Sequence, residues 1–247
     1  MASPKALATQ AIRDLEAASD LRVAAQSRIY YKPDEVVCFY GVSTPNTRKI
    51  AKNLSRQIRD NWQLDDALRF CDILIKRREL EAKCVGIFGL AEFRRSFDKT
   101  MLAKIEVWLE QGYCSDWSTT DGLCIYVIAP LIGDFPELIP KLKGWVGKKN
   151  LWLRRAAAVS LTPSARHGKH LDEVYEIAAK LLSYPEDLIR KANGWLLREA
   201  GKTDAKRLEA FLLHYGPAIP RTTLRYAIER FTPGKRKLLL TQTKAVD

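Results

Sequence analysis

The sequence predicts an all-α protein built as an array of stacked helical pairs. Three observations carry that reading. A basic residue recurs at one place in a repeated helical segment: Lys83 in EAKCVG (81–86), Arg155 in LRRAAA (153–158) and Lys191 in IRKANG (189–194), separated by 72 and 36 residues. Trp108, Trp145 and Leu182 follow a similar period, each 37 from the last. No run sustains the apolar–polar alternation of a half-buried strand. A period of this length marks helical pairs that bury their apolar stripes against their neighbours, so equivalent positions line up along one face. A basic residue repeated there would line that face with positive charge, which suits a polyanion.

The elements follow in order. Residues 5–18 and 20–31 form a first pair. Residues 45–60 open at Ser43-Thr44-Pro45, a cap followed by a proline in the first turn, where its missing N–H costs nothing. Helical patterns then cover 64–76, 79–95, 98–111 and 117–132, the last with Ser115 or Asp116 available as its cap. Residues 135–147 carry Pro136 in the first turn, and 150–161 are stopped by Pro163. After 168–183, the helix 187–201 follows Pro185 and begins with Glu186 and Asp187, where negative charge suits a helix N-terminus. The last elements are 203–215 and 218–231, the latter begun by Pro217 or Pro220. No Gly/Ser linker interrupts the series, so residues 1–240 are expected to form a single domain and 241–247 a disordered tail. Tetratricopeptide repeats have a similar period, but their Trp/Gly/Tyr/Ala pattern is absent; irregular HEAT-like pairs fit better.

Charge narrows the partner. The chain has 41 Lys+Arg against 29 Asp+Glu, a formal net charge of +12. Residues 141–237 hold 21 basic and 9 acidic side chains, and the rest is balanced. Such asymmetry points to nucleic acid or an anionic surface, against the blander reading of a solvated basic face. An apolar content of 47% is enough for a sizeable core. No apolar run approaches the ~18 residues of a membrane-spanning helix. The N-terminal segment lacks the apolar stretch of a secretory signal. Five cysteines, with no CxxC, read as buried thiols in a reducing compartment, so a cytoplasmic location is expected. His167, His170 and His214 have no Cys or acidic partner at metal-ligand spacing, so neither a metal nor another cofactor is expected.

Two segments look like sites. In DWSTTD (116–121), Trp117 and Asp121 are spaced i, i+4 and share one helix face. The alternative is that Ser115 or Asp116 caps the helix, Trp117 packs inward and Asp121 is solvated. In RKANGWLLRE (190–199), Lys191, Trp195 and Arg198 fall at i, i+4 and i+7, a basic stripe with an aromatic in it. The series Leu188, Ala192, Leu196 competes for the core, and would leave Trp195 towards its edge. Between them, NLWLRRAA (150–157) places Arg155 on the repeated basic position beside Arg154, with alanines that permit close helix packing.

With these three segments and FYGVSTPNTR (39–48), the chain resembles the AlkD-like DNA alkylation repair glycosylases, in order over roughly residues 25–235. The resemblance implies a curved, right-handed α-α superhelix of HEAT-like repeats whose basic concave face holds duplex DNA. It implies release of cationic alkylated purines, chiefly N3-alkyladenine and N7-alkylguanine; a DNA-wrapping solenoid can work as a monomer, which is the expected state. Carried over residue by residue, the aromatic-xxx-Asp pair falls on Trp117 and Asp121, the W-L-x-R-A-A arginine on Arg155, the K-A-x-G-W tryptophan on Trp195, and the following basic residue on Arg198. Tyr30 is matched loosely to a DNA-contacting tyrosine. Lys83, Lys191, Arg190 and Arg154 complete the expected DNA-binding set. Two positions depart from the family pattern, with Asp116 and Ser118 beside Trp117 where a Trp and an Asp are frequent.

The chemistry asks for such residues. Alkylation at N3 or N7 makes the purine a cationic leaving group, and the breaking C1′–N bond leaves an oxocarbenium-like sugar. A carboxylate, here Asp121, stabilises that charge and orients water. Trp117 and Trp195 could present their negative π faces to the sugar, and Arg155 and Arg198 could hold phosphates. The resemblance implies a grip on the lesion's backbone without base flipping, hence tolerance of bulky adducts. No lysine is placed for a Schiff base, so strand nicking is not expected. Two competing readings remain: a non-catalytic DNA-binding relative that recognises DNA shape or branches, and a protein-binding helical scaffold, which would not need a repeated basic line.

Overall fold

The computed structural model describes residues 2–58 and 61–244. Among them, secondary structure is helical throughout, apart from one isolated bridge between Cys38 and Glu79. The all-α expectation holds. The chain divides into two compact units, Met1–Leu131 and Ile132–Asp247.

The first unit contains α1 (Pro4–Ala17), α2 (Leu21–Arg28), α3 (Thr44–Arg56), α4 (Leu64–Ile75), α5 (Leu80–Ala91), α6 (Met101–Glu110) and α7 (Trp117–Leu123). Its centre is α5, which packs on α1, α3, α4 and α7. That position demands a helix apolar almost all round, and Ala82, Val85, Ile87 and Leu90 are buried on different sides of it. The first turn follows the same logic at two ends of the unit: Ser3 caps α1 ahead of Pro4, and Pro45 stands in the first turn of α3. Trp108 of α6 is buried and donates from Nε1 to Asp72 of α4 at 2.9 Å, so the periodic tryptophan is a core residue with one polar anchor.

A π-helical turn, Cys124–Ile128, joins α7 to α8 (Ala129–Asp134), and the second unit begins inside α8. It continues with α9 (Ile139–Trp145), α10 (Leu151–Val159), α11 (Thr162–Arg166), α12 (Leu171–Leu181), α13 (Asp187–Ala200), α14 (Ala205–Tyr215), α15 (Arg221–Ala227) and α16 (Pro233–Gln242). Here α13 is central, with α10, α11, α12 and α15 packed on it. Ion pairs and hydrogen bonds join helices one repeat apart in this unit. Arg154–Glu186, Arg166–Glu199 and Lys143–Glu176 all link residues 32 or 33 positions apart.

Two features differ from the sequence expectation. Pro163 does end α10, but it also starts the short α11, because Thr162-Pro163 is itself a helix-opening pair. The chain beyond 231 forms a further helix, α16, capped by Thr232 ahead of Pro233 and running past residue 240 to Gln242. Leu239 is fully buried, and Arg221 donates to Leu240 O at 3.0 Å and to Thr243 Oγ1 at 3.2 Å. A short apolar anchor and a basic staple order this segment. The remainder of the expected disordered tail, residues 245–247, lies outside the described residues.

Candidate active site

A cleft of about 450 Å³ opens in the first unit. Its walls come from the segment 27–48, from α5 and from the run through α7 into the π turn. Tyr30, Tyr31, Phe39, Phe88, Trp117 and Tyr126 supply aromatic faces, and Arg48, Glu81 and Asp121 supply charge. No lysine lines it among the described residues.

The start of α7 explains why Trp117 and Asp121 face the cleft together. Asp116 is buried and caps the helix, accepting from Thr119 N at 2.9 Å and from Thr119 Oγ1 at 2.5 Å. Thr120 Oγ1 donates to Cys114 O at 2.7 Å, tying the helix to the turn before it. With the helix phase set this way, Trp117 and Asp121 emerge one turn apart, both half-buried at the cleft. The cap is therefore Asp116, one of the two expected, and Trp117 does not turn into the core. The π turn then widens the helix, with Ala129 N donating to Cys124 O, and both Ile125 and Tyr126 reach the cleft.

Tyr31 is a residue the sequence reading missed. Its ring stacks on Trp117, with centroids 5.4 Å apart and an interplanar angle of 26°. Its hydroxyl lies near Ser118, one of the two positions that depart from the family pattern. Burial, with the Asp116 charge second, pushes the phenol far above the ordinary tyrosine range, while Ser118 opposes this. Tyr31 is thus a neutral, fixed support for Trp117. Its neighbour Tyr30, the expected DNA contact, is 77% exposed at the cleft rim.

The segment FYGVSTPNTR forms the opposite wall. Tyr40, Gly41 and Val42 direct consecutive backbone N–H groups at Glu81, at 3.0, 2.9 and 3.0 Å. Such a concavity of N–H groups is an anion site, and a buried side chain of α5 fills it. Gly41 has φ +83°, and a Cβ there would lie 2.1 Å from Asp20 O, so glycine is required. Thr47 donates to Val42 O at 3.3 Å and to Ser43 O at 3.1 Å, joining the loop to α3. The next residue, Arg48, lies over Phe88 and Tyr126, with Cζ 5.2 and 5.4 Å from the ring centroids, and it donates to the Tyr126 hydroxyl. Cys84 also lines the cleft. Burial first, then the Asp116 and Glu81 charges, push its thiol up to about 12, so it stays protonated and is no nucleophile.

The other expected residues are distributed differently. Lys83 and Arg155 are only 8% and 6% exposed, so the repeated basic position is not a solvent-facing line. Packing on several sides of α5 and α10 covers it. In the second unit, Arg155 Nη1 donates to Leu188 O in the first turn of α13, at 2.6 Å. Arg154 is buried too: it holds the carbonyls of Lys148 and Lys149, both at 2.9 Å, pairs with Glu186 and lies over Tyr184. It staples the loop before α10 to the start of α13. Lys191 alone of the three repeated positions keeps a half-exposed side chain, paired with Asp187 at 2.8 Å. Its ammonium is held above the ordinary range by that hydrogen bond, with burial and then Arg155 opposing it. Arg190 is half-buried, and its carbonyl accepts from Thr223.

Trp195 is half-buried on α13 while Ala192 and Leu196 are buried, which places it at the edge of the core as expected. Arg198 pairs with Glu229 and lies 3.6 Å from Glu199. Glu199 is 1% exposed; burial would raise its carboxyl, but bonds from Arg166 and Lys202 outweigh burial and hold it below the ordinary value.

Comparison with known proteins agrees with this architecture. The family model described as DNA alkylation repair enzyme matches residues 11–231. The chain belongs to that family, whose members are enzymes of DNA repair. A solved structure described as a predicted DNA alkylation repair enzyme from Enterococcus faecalis superposes with a TM-score of 0.75 at 19% identity, covering 87% of this chain and 97% of that one. At that identity the likeness speaks for the fold. No curated protein matches the sequence.

Proposed function

We propose that this protein is a monofunctional DNA glycosylase that hydrolyses the N-glycosidic bond of cationic alkylated purines, N3-alkyladenine and N7-alkylguanine, in duplex DNA. The observation that carries the reading is the pairing of Trp117 with Asp121 at an aromatic cleft, in a chain of the DNA alkylation repair family. In this reading the lesion's own charge activates the bond. The Asp121 carboxylate faces the sugar as positive charge develops on it and orients the attacking water. Trp117, braced by Tyr31, offers a π face to the same charge. Trp195 is assigned a matching role, and Arg155, Arg198, Lys191, Arg190, Arg154, Lys83 and Tyr30 are assigned to the DNA by resemblance. For Lys83, Arg154 and Arg155, burial favours a role in shaping the helices that present the DNA-binding face. The lesion nucleotide is held by its backbone without being flipped, so bulky cationic adducts are substrates.

The test is release of methylated purines from duplex DNA treated with a methylating agent, for wild type and Asp121→Asn. Wild-type release is expected, with a loss of about 100-fold or more in the variant, the magnitude seen when a preorganised charge stabiliser is removed, and with DNA affinity kept. No release by wild type, with salt-sensitive DNA binding intact, would replace this reading with that of a non-catalytic DNA-binding protein. Borohydride should trap no covalent protein–DNA adduct.

A further inference from the structure

The proposed reaction leaves one residue of the cleft without a task. Arg48 has no part in the bond-breaking step assigned to Asp121 and Trp117. Its exposed side chain holds a permanent positive charge over the faces of Phe88 and Tyr126, bonded to the Tyr126 hydroxyl, in a cleft where Asp121 is assigned to the developing charge on the sugar. A cationic base and a guanidinium repel each other there. The same arrangement suits a neutral base.

We propose that this cleft is the exit site for the released base: it binds the free, neutral alkylpurine, and Arg48 selects that product over the cationic lesion. The inference rests on the glycosylase reading and extends it to product handling. When the C1′–N bond breaks, its electron pair stays on the ring nitrogen and cancels the purine's charge. Water supplies the oxygen that bonds to C1′, and its proton passes to solvent. The base leaves neutral, with a new lone pair at the nitrogen that held the sugar. That nitrogen, and the carbonyl of a guanine product, are acceptors for guanidinium N–H groups, of which arginine has five.

The cleft has the dimensions and lining of a small-molecule site: about 450 Å³, largely apolar, with a few convergent polar groups. A flat heteroaromatic ring stacks on such walls as the guanidinium already does. Asp121 and Tyr126 lie five residues apart on one continuous helical run, and the π turn between them brings both to the same cleft. The carboxylate that favours the cation and the hydroxyl that holds the guanidinium therefore share one wall, and Arg48 reaches that hydroxyl from the opposite one.

The experiment is equilibrium dialysis of the full chain, without DNA, against radiolabelled 7-methylguanine. The comparison ligand is the nucleoside 7-methylguanosine under mildly acidic conditions, where its base is cationic and its ring nitrogen is blocked by the sugar. The free base should bind saturably and at least ten-fold more tightly than the nucleoside. Arg48→Met and Tyr126→Phe should each abolish that preference, with unfolding midpoints showing that the variants are folded. Equal or tighter binding of the nucleoside, or no saturable binding of the base, would overturn the proposal. Release of methylpurines from DNA is measured separately. Release without base binding removes the exit site alone, whereas base binding without release removes the glycosylase reading and leaves a purine site.

Discussion

Glu81 touches no substrate in the proposed reaction, yet three backbone N–H groups converge on its carboxylate. It is the post on which the 40–42 loop, and so one wall of the cleft, is hung. Replacing it with Gln leaves a single acceptor oxygen and turns an N–H₂ toward a row of donors. Urea unfolding of Glu81→Gln should show a loss of about 1–3 kcal/mol, the cost of leaving buried donors unsatisfied. An unchanged midpoint would mean that the loop finds other acceptors. The same scale shows what a linear reading can reach. Trp117 and Asp121 were legible because their i, i+4 spacing needs only the helix repeat. Tyr31 and Arg48 were not, because Tyr31 acts on a ring 86 positions later and Arg48 on a hydroxyl 78 positions later. The doubled Tyr30-Tyr31 was the available signal, and only burial distinguishes the exposed member from the stacked one.

At the level of elements, helix beginnings were the most readable feature. Ser3-Pro4, Ser43-Thr44-Pro45 and Thr232-Pro233 all open helices. The same chemistry went unrecognised at Thr232-Pro233, whose helix was not expected, and at Thr162-Pro163, where a stop signal for one helix is also a start signal for the next. Helix faces were harder to read. On α13, Gly194 meets α15 so closely that an added Cβ would lie 2.4 Å from Tyr226 Cβ and 2.7 Å from Thr223 O. Gly194→Ala should therefore destabilise by about 1–3 kcal/mol through overpacking, although alanine is the better helix former. A thermal unfolding midpoint equal to or above that of wild type would show that α15 shifts freely.

Across the whole molecule, the charge surplus belongs to residues 141–237, inside the second unit. Many of those cations already have partners, among them Arg154, Arg166, Arg198 and Arg207. An exposed pair such as Arg207–Asp172 contributes little to stability, and a phosphate can compete with its carboxylate for the guanidinium. If about six phosphates are neutralised, log K for duplex DNA should fall with log salt at a slope of about −5. Fluorescence anisotropy across a salt series measures this directly, and a flat response would count against DNA as the partner.

The helical class, the order of elements, the repeat and the location of the charge were all present in the linear chain, because periodicity, capping and composition are local properties. Even the repeat was legible mainly as a spacing. In the second unit, bonds such as Arg154–Glu186 and Arg166–Glu199 tie α10 and α11 to α13, across 32 or 33 residues. Packing alone decided that Lys83 and Arg155 are buried, and that Tyr31, Arg48 and Tyr126 meet Trp117 and Asp121 in one cleft. Those outcomes depend on which faces of α3, α5 and α7 are covered by their neighbours, and no local pattern encodes a neighbour dozens of residues away.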